Sequence, residues 1–133
     1  MASSVDAYLR SLHAAIVDSG GEFETGSTLL ILDEEDSLGS FGGIARFEDG
    51  LTLHFLVIVD AAGLAPSFLK YRFHAADSEN RCVFRYDSSP HYPHLRTFPH
   101  HKHEGADEKV VESGPAELAD VLDEIRRHIA GSG

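Results

Sequence analysis

The dipeptide Asp49-Gly50 lies between two apolar stretches, residues 41–48 and 51–60, and this arrangement constrains the fold more than any other feature of the sequence. Asp-Gly flanked by apolar stretches is typical of a β-hairpin with a type I′ turn, because both central residues of that turn need a positive φ. The sequence therefore predicts an antiparallel hairpin at the centre of the chain.

Further strands are predicted on both sides of this hairpin. Residues 28–32 form a short apolar run, and short strands are also predicted at residues 81–87 and 109–112. Residues 68–74 alternate in character, which places Leu69, Tyr71 and Phe73 on one face because successive strand side chains point to opposite sides. We predict that this face belongs to the core.

A helix is predicted at each end of the chain. Apolar residues recur there at helical spacing and form one stripe per helix: Val5, Leu9, Leu12 and Ile16 within residues 4–19, and Leu118, Val121, Leu122, Ile125 and Ile129 within residues 115–130. Pro115 is expected at the first position of the second helix. The sequence thus predicts a single α+β domain, residues 1–133, with an antiparallel β-meander sheet flanked by an N-terminal and a C-terminal helix.

The charge balance limits the classes of partner. The 133 residues include 22 acidic and 11 basic side chains, and the net charge of −11 argues against a protein that coats nucleic acid or an anionic membrane. The longest apolar run, residues 55–59, is too short to cross a bilayer, and the N-terminus lacks the layout of a signal peptide. A single cysteine, Cys82, fits a reducing compartment. We expect a cytoplasmic protein without a membrane partner.

One segment departs from this acidic character: residues 70–102, which together with the following His103 we call the basic strip. It holds six of the eleven basic residues and three acidic ones, so its formal charge is +3, whereas the remainder of the chain carries −14. Five of the nine histidines fall within thirteen residues at its end: His91, His94, His100, His101 and His103. A focused anionic ligand is therefore compatible with the acidic chain.

The basic strip combines the groups needed to cleave RNA. Imidazole titrates near neutrality, so two histidines can serve as the base for the 2′-hydroxyl and the acid for the leaving oxygen. The candidates for proton transfer are His100, His101 and His103, with His91 and His94 behind them. The candidates for binding the phosphate are Arg85, Arg96 and Lys102. This interpretation predicts a metal-independent endoribonuclease without a cofactor, whose site lies on a proline- and histidine-rich loop at residues 88–105.

Two other interpretations of the same residues are open. His91-x2-His94 and His101-x-His103 could each give two imidazoles to a metal ion, with a carboxylate from Asp87 or Glu104. In that case the chain would be a non-catalytic module that binds a metal or a partner protein through its histidine-rich loop. Each histidine taken singly could also be structural, packed on an aromatic ring or bonded to a carbonyl group.

The same residues resemble a known family. Phe84-Arg85-Tyr86-Asp87, Pro90-His91 and the run from Thr97 to His103 are similar to the TumE-type toxins of toxin–antitoxin pairs. The specific similarity spans residues 71–103, about a quarter of the chain, and the layout of the C-terminal strand and helix agrees. The resemblance implies a small cytosolic toxin that is neutralised by a DNA-binding antitoxin with a helix-turn-helix. It assigns no catalytic role to a particular histidine.

Overall fold

A computed structural model describes residues 4–33, 35 and 37–132 of the chain. It begins with helix α1 (Ser4–Asp18) and ends with helix α2 (Leu118–Ser132). Eight strands lie between them: β1 (Glu22–Phe23), β2 (Leu29–Leu32), β3 (Leu38–Arg46), β4 (Thr52–Asp60), β5 (Ser67–Ala76), β6 (Cys82–Asp87), β7 (His101–Glu104) and β8 (Lys109–Glu112). None of the described helices is long and apolar enough to span a bilayer.

The strands form one antiparallel sheet, and this confirms the α+β prediction. From β3 to β8 each strand pairs with the next one along the chain, as in a meander. The short strands β1 and β2 both pair with β3, so together they form one edge of the sheet. Strand β8 forms the opposite edge.

The central hairpin forms at the predicted dipeptide. Asp49 and Gly50 have φ values of 61° and 75°, as a type I′ turn requires. The N–H of Leu51 donates to the carbonyl of Glu48 at 3.3 Å and closes the turn, and the N–H of Phe47 donates to the carbonyl of Leu51 at 2.8 Å. A Cβ on Gly50 would also lie 2.8 Å from the side chain of Ser78, so both the backbone conformation and the available space favour glycine there.

Both helices cover the same face of the sheet. The predicted stripes are buried, with Ile129 at the end of α2 only partly so: Val5, Leu9, Leu12 and Ile16 from α1, and Leu118, Val121, Leu122 and Ile125 from α2. They share one core cluster with Phe55, Tyr71, Phe73 and Phe84 of the sheet. Helix α2 begins three residues later than predicted, so Pro115 precedes the helix and is not its first residue; the N–H of buried Ala116 in this preceding segment donates to Tyr71 Oη at 3.2 Å.

The prediction for Leu69 was wrong. Tyr71 and Phe73 are buried, but Leu69 is 58% exposed and Phe68 packs against the core instead. The pairing of β4 with β5 shifts at this point, since Ile58 faces Lys70 while Val59 faces Phe68. Leu69 is the extra residue of a β-bulge, and one extra residue reverses which side chains of the strand point inward.

The predicted loop is shorter than residues 88–105. Residues 101–104 form strand β7, which pairs with β6 on one side and β8 on the other. The prolines that break regular structure are Pro90, Pro93 and Pro99, so all three precede this segment. His101, Lys102 and His103 therefore lie on a strand, whereas residues 88–100 remain a loop.

Alanine substitutions at the bulge should distinguish the contributions of Phe68 and Leu69 to stability. Phe68→Ala removes a ring that contacts Tyr8, Tyr71 and Phe73, and it should lower the free energy of unfolding by about 2–4 kcal/mol. Leu69→Ala should change it by less than about 0.5 kcal/mol. Urea denaturation measures both, and a larger loss for Leu69→Ala would contradict the bulge.

Candidate functional site

Strand alternation divides the chemistry of the basic strip between the two faces of the sheet. On β6 and β7, Tyr86 pairs with Lys102, and both side chains hydrogen-bond Glu124 of α2. The neighbouring pairs are Arg85 with His103 and Asp87 with His101. These four side chains lie on the face that the helices leave uncovered, which we call the open face.

Arg85, Asp87, His101 and His103 form a compact group on this face, and we call it the open-face cluster. Arg85 Nη2 lies 3.0 Å from His103 Nε2, and Arg85 Nε lies 3.9 Å from Asp87 Oδ2. The rings of His101 and His103 are 5.2 Å apart between centroids. Glu108, beyond the end of β7, adds a contact of 3.6 Å to Arg85 Nη1.

The hydrogen bonds define the protonation of His103. A guanidinium can only donate, so Nε2 of His103 accepts from Arg85 and the ring is neutral in this arrangement. Burial lowers the pKa of His103, and the nearby charges of Arg85 and His101 lower it further. His103 therefore remains an unprotonated imidazole at neutral pH.

His101 is fixed through its other ring nitrogen. Its Nδ1 lies 3.0 Å from the carbonyl oxygen of Pro99, so Nδ1 donates and Nε2 is left to exchange a proton. The buried carboxylate of Asp87 lies beside it and accepts a hydrogen bond of 2.7 Å from the N–H of Ser89. Burial opposes ionisation of Asp87, but the hydrogen bonds from Ser89 and the charges of His101 and Arg85 lower its pKa overall.

Tyr92, from the loop at residues 88–100, covers the cluster. Its ring centroid lies 4.8 Å from that of His101 and 5.9 Å from that of His103, both in edge-to-face geometry. His101 is consequently 1% exposed and His103 5% exposed. The sequence analysis does not identify Tyr92 as a site residue. The feature that could have indicated it is an aromatic side chain among the prolines and histidines of the loop.

Burying these polar groups has an energetic cost that a purely structural role would not require. Arg85 Nε is buried and makes no hydrogen bond among the described residues, and the carboxylate of Asp87 at 3.9 Å compensates its burial only as a longer ion pair. The pKa values of Asp87 and His103 are both lowered, and perturbed titratable groups concentrate at functional sites. We therefore take the open-face cluster as the candidate site.

The other predicted site residues lie elsewhere. His100 stacks on Tyr71, bonds its hydroxyl group at 2.8 Å, and lines a cavity of about 610 Å³ between α1, β5 and the start of α2. Lys102 pairs with Glu124 at 2.9 Å in the helix layer. Arg96 is 92% exposed and lies 3.5 Å from Glu112. Of the six first-rank candidates, the structure brings together Arg85, His101 and His103.

The two second-rank histidines belong to the loop. His91 and His94 are exposed, and the ring of His94 lies 6.3 Å from that of Tyr92. Within the described residues, no group of three His, Cys, Asp or Glu side chains is placed to hold a metal ion.

Two exposed basic side chains lie on the open face outside the cluster. Lys70 and Arg72 lie on β5, and Arg72 faces Asp87 across the pairing with β6. Together with Arg85 they give three positive side chains on neighbouring strands. Asp87 and Glu108 lie beside Arg85, so the open face carries both signs of charge, and its exposed positive charge lies at Lys70 and Arg72.

Comparison with known proteins agrees with the resemblance noted in the sequence. Residues 16–131 match the family model described as Toxin TumE. The match covers most of the chain, far more than residues 71–103, which carry the specific resemblance. No curated protein and no solved structure gives a significant match.

Acidification should destabilise the fold through His103. Its pKa in the folded protein is below the ordinary value of 6.5, so the unfolded chain binds more protons as the pH falls through that value. The free energy of unfolding should therefore decrease between pH 7 and pH 5. His103→Gln should make this decrease less steep, as measured by urea denaturation across the range.

His91→Gln is the matched control, because His91 is exposed and its substitution should leave the pH dependence unchanged. The pKa of Asp87 is lowered from its ordinary value of 3.8, which already lies outside this window. An unchanged pH dependence for His103→Gln would contradict a buried neutral imidazole.

Proposed function

The chain belongs to the TumE family of toxins from toxin–antitoxin systems, and we propose that it acts as a metal-independent endoribonuclease whose site is the open-face cluster. The observation that carries this proposal is the neutral His103 imidazole beside Arg85, with His101 next to it. Family membership implies an antitoxin partner. The proposal adds that this antitoxin is a DNA-binding protein and that the pair acts in the cytoplasm.

The proposed reaction is attack of an RNA 2′-hydroxyl on the adjacent phosphorus. Once the Arg85 guanidinium turns from His103 Nε2 to the phosphoryl oxygens, His103 takes the hydroxyl proton as the new oxygen–phosphorus bond forms, which gives a 2′,3′-cyclic phosphate. The bond from phosphorus to the 5′ oxygen breaks, and His101 in its protonated form gives that oxygen a proton. The Arg85 guanidinium stabilises the negative charge that develops on the phosphoryl oxygens.

RNA can reach this cluster only if Tyr92 moves, because that ring covers both histidines. The loop at residues 88–100 carries Tyr92, and loops are the parts of a fold that move at least cost. Once displaced, the ring is free to stack on an unpaired base, a common mode of RNA recognition. Lys70 and Arg72 would then contact neighbouring phosphates.

The proposal retains three of the six first-rank residues as catalytic groups. Hydrogen bonds to Glu124 and Tyr86 raise the pKa of Lys102 despite its partial burial, and they hold it in the helix layer. His100 is tied to Tyr71 on the helix-covered side, and Arg96 is tied to Glu112 on the surface. We assign these three to structure and surface charge.

Substitutions in the cluster should abolish toxicity without unfolding the chain. His101→Ala and His103→Ala should each lower the rate of RNA cleavage by about 10²–10⁴-fold, as loss of a general acid or base does. Arg85→Lys should also lower it, since a lysine cannot reproduce the guanidinium geometry. Growth arrest on expression and cleavage of total RNA by purified protein are the measurements.

His94→Ala and Arg96→Ala are the controls, because both residues are exposed and lie outside the cluster. Thermal melting should confirm that each variant remains folded. Equal toxicity of His101→Ala and the wild type would refute the role of His101. Stoichiometric zinc that survives dialysis of untagged protein would instead favour the non-catalytic metal-binding alternative.

A further inference from the structure

Strand β2 exposes four consecutive apolar side chains. Leu29, Leu30, Ile31 and Leu32 are 50%, 47%, 54% and 39% exposed. Single exposed apolar residues are ordinary, but a contiguous run on a strand is a feature of interaction sites. The run lies within the region that matches the toxin family.

The position of β2 leaves its backbone available for pairing. In the described sheet β2 pairs with β3 and with no other strand. Alternate residues of such an edge strand direct their N–H and C=O groups away from the sheet, where they can pair with an added strand. An apolar edge of this kind is a template for a further strand from another chain.

Side-chain space is available on the helix side of this edge. Leu30 borders a groove of about 370 Å³ between β2 and α1, which is also lined by Leu9, His13 and Phe41, and by Arg10, whose guanidinium pairs with Asp6 at 3.2 Å. Leu29 and Ile31 alternate with Leu30 and therefore point to the open face. An added strand would gain backbone hydrogen bonds from the edge and apolar contacts on both sides.

The acidic residues in the sequence around β2 favour a basic partner. Residues 11–45 contain seven acidic side chains and no lysine or arginine, and the cations at either end, Arg10 and Arg46, pair with Asp6 and Glu24. Two of the seven, Glu34 and Asp36, lie outside the described residues. A second copy of this chain would bring like charges together, and RNA would be repelled, whereas a basic polypeptide would be attracted.

We propose that β2 is the docking edge for the antitoxin, which adds an extended apolar segment flanked by lysine or arginine as a further strand of the sheet. The inference rests on the toxin assignment and not on RNA cleavage. Five strand spacings separate β2 from β7, about 24 Å, so docking at the edge does not involve the open-face cluster directly.

The test uses the wild-type chain, its Ile31→Lys variant and the protein encoded by the neighbouring gene as the antitoxin. Ile31→Lys places a positive charge where the basic segment would dock, and it should weaken antitoxin binding about tenfold or more, as loss of an interface hot spot does. Leu64→Lys is the matched control, because Leu64 is fully exposed in the loop between β4 and β5. Its affinity should equal that of the wild type.

Hydrogen–deuterium exchange on the wild-type complex should show new protection at residues 29–32. This measurement does not depend on whether the variant folds. Protection confined to other residues would overturn the proposal, as would failure of the wild-type chain to bind the antitoxin. The proposal would also be overturned if the wild-type chain dimerises on its own and the Ile31→Lys variant is a monomer, because a second copy of the chain would then occupy β2.

The same experiment separates this proposal from the ribonuclease proposal. His103→Ala should bind the antitoxin as tightly as the wild type, whereas Ile31→Lys should remain toxic in the presence of the antitoxin. Loss of antitoxin binding in His103→Ala, with no effect of Ile31→Lys, would place the docking site on the open face and overturn the assignment of β2.

Discussion

The pairing register of β6 with β7 is the constraint on which the rest of the site depends. Arg85 faces His103 and Asp87 faces His101, so these four side chains share one face while Tyr86 and Lys102 share the other. A shift of one residue would move both histidines under the helices and place Lys102 on the open face. The hydrogen bonds of Lys102 and Tyr86 to Glu124 favour the observed register by anchoring the opposite face to α2.

The two faces and the β2 edge of the sheet differ in composition, and each corresponds to a different role. The helix-covered face contains the apolar core that stabilises the fold. The open face combines buried imidazoles with three arginine and lysine side chains, and we propose that it binds and cleaves RNA. The β2 edge is apolar and lies in an acidic stretch of the sequence, and we propose that it binds the antitoxin. An acidic chain can therefore have one site for an anion and another for a basic protein.

The sequence predicts the features that depend on local patterns. The Asp49-Gly50 turn and the two helix stripes follow from spacing alone, and each is confirmed. The bulge at Leu69 depends on the pairing with β4, which the alternation of residues 68–74 does not contain. The sequence does not predict that Lys102 points to the opposite face from His101 and His103. The prolines suggest a loop through residue 105, whereas residues 101–104 form β7. The position of Tyr92 over the histidines depends on tertiary packing of the loop.

The central claim is that paired imidazoles on the open face cleave RNA by attack of the 2′-hydroxyl. The chemistry of the RNA ends tests this most directly, in reactions that contain excess EDTA. Purified wild-type protein should leave 2′,3′-cyclic phosphate or 3′-phosphate ends and 5′-hydroxyl ends, and His103→Gln should leave neither above background. Products with 3′-hydroxyl and 5′-phosphate ends, formed only when a divalent metal ion is added, would contradict the account.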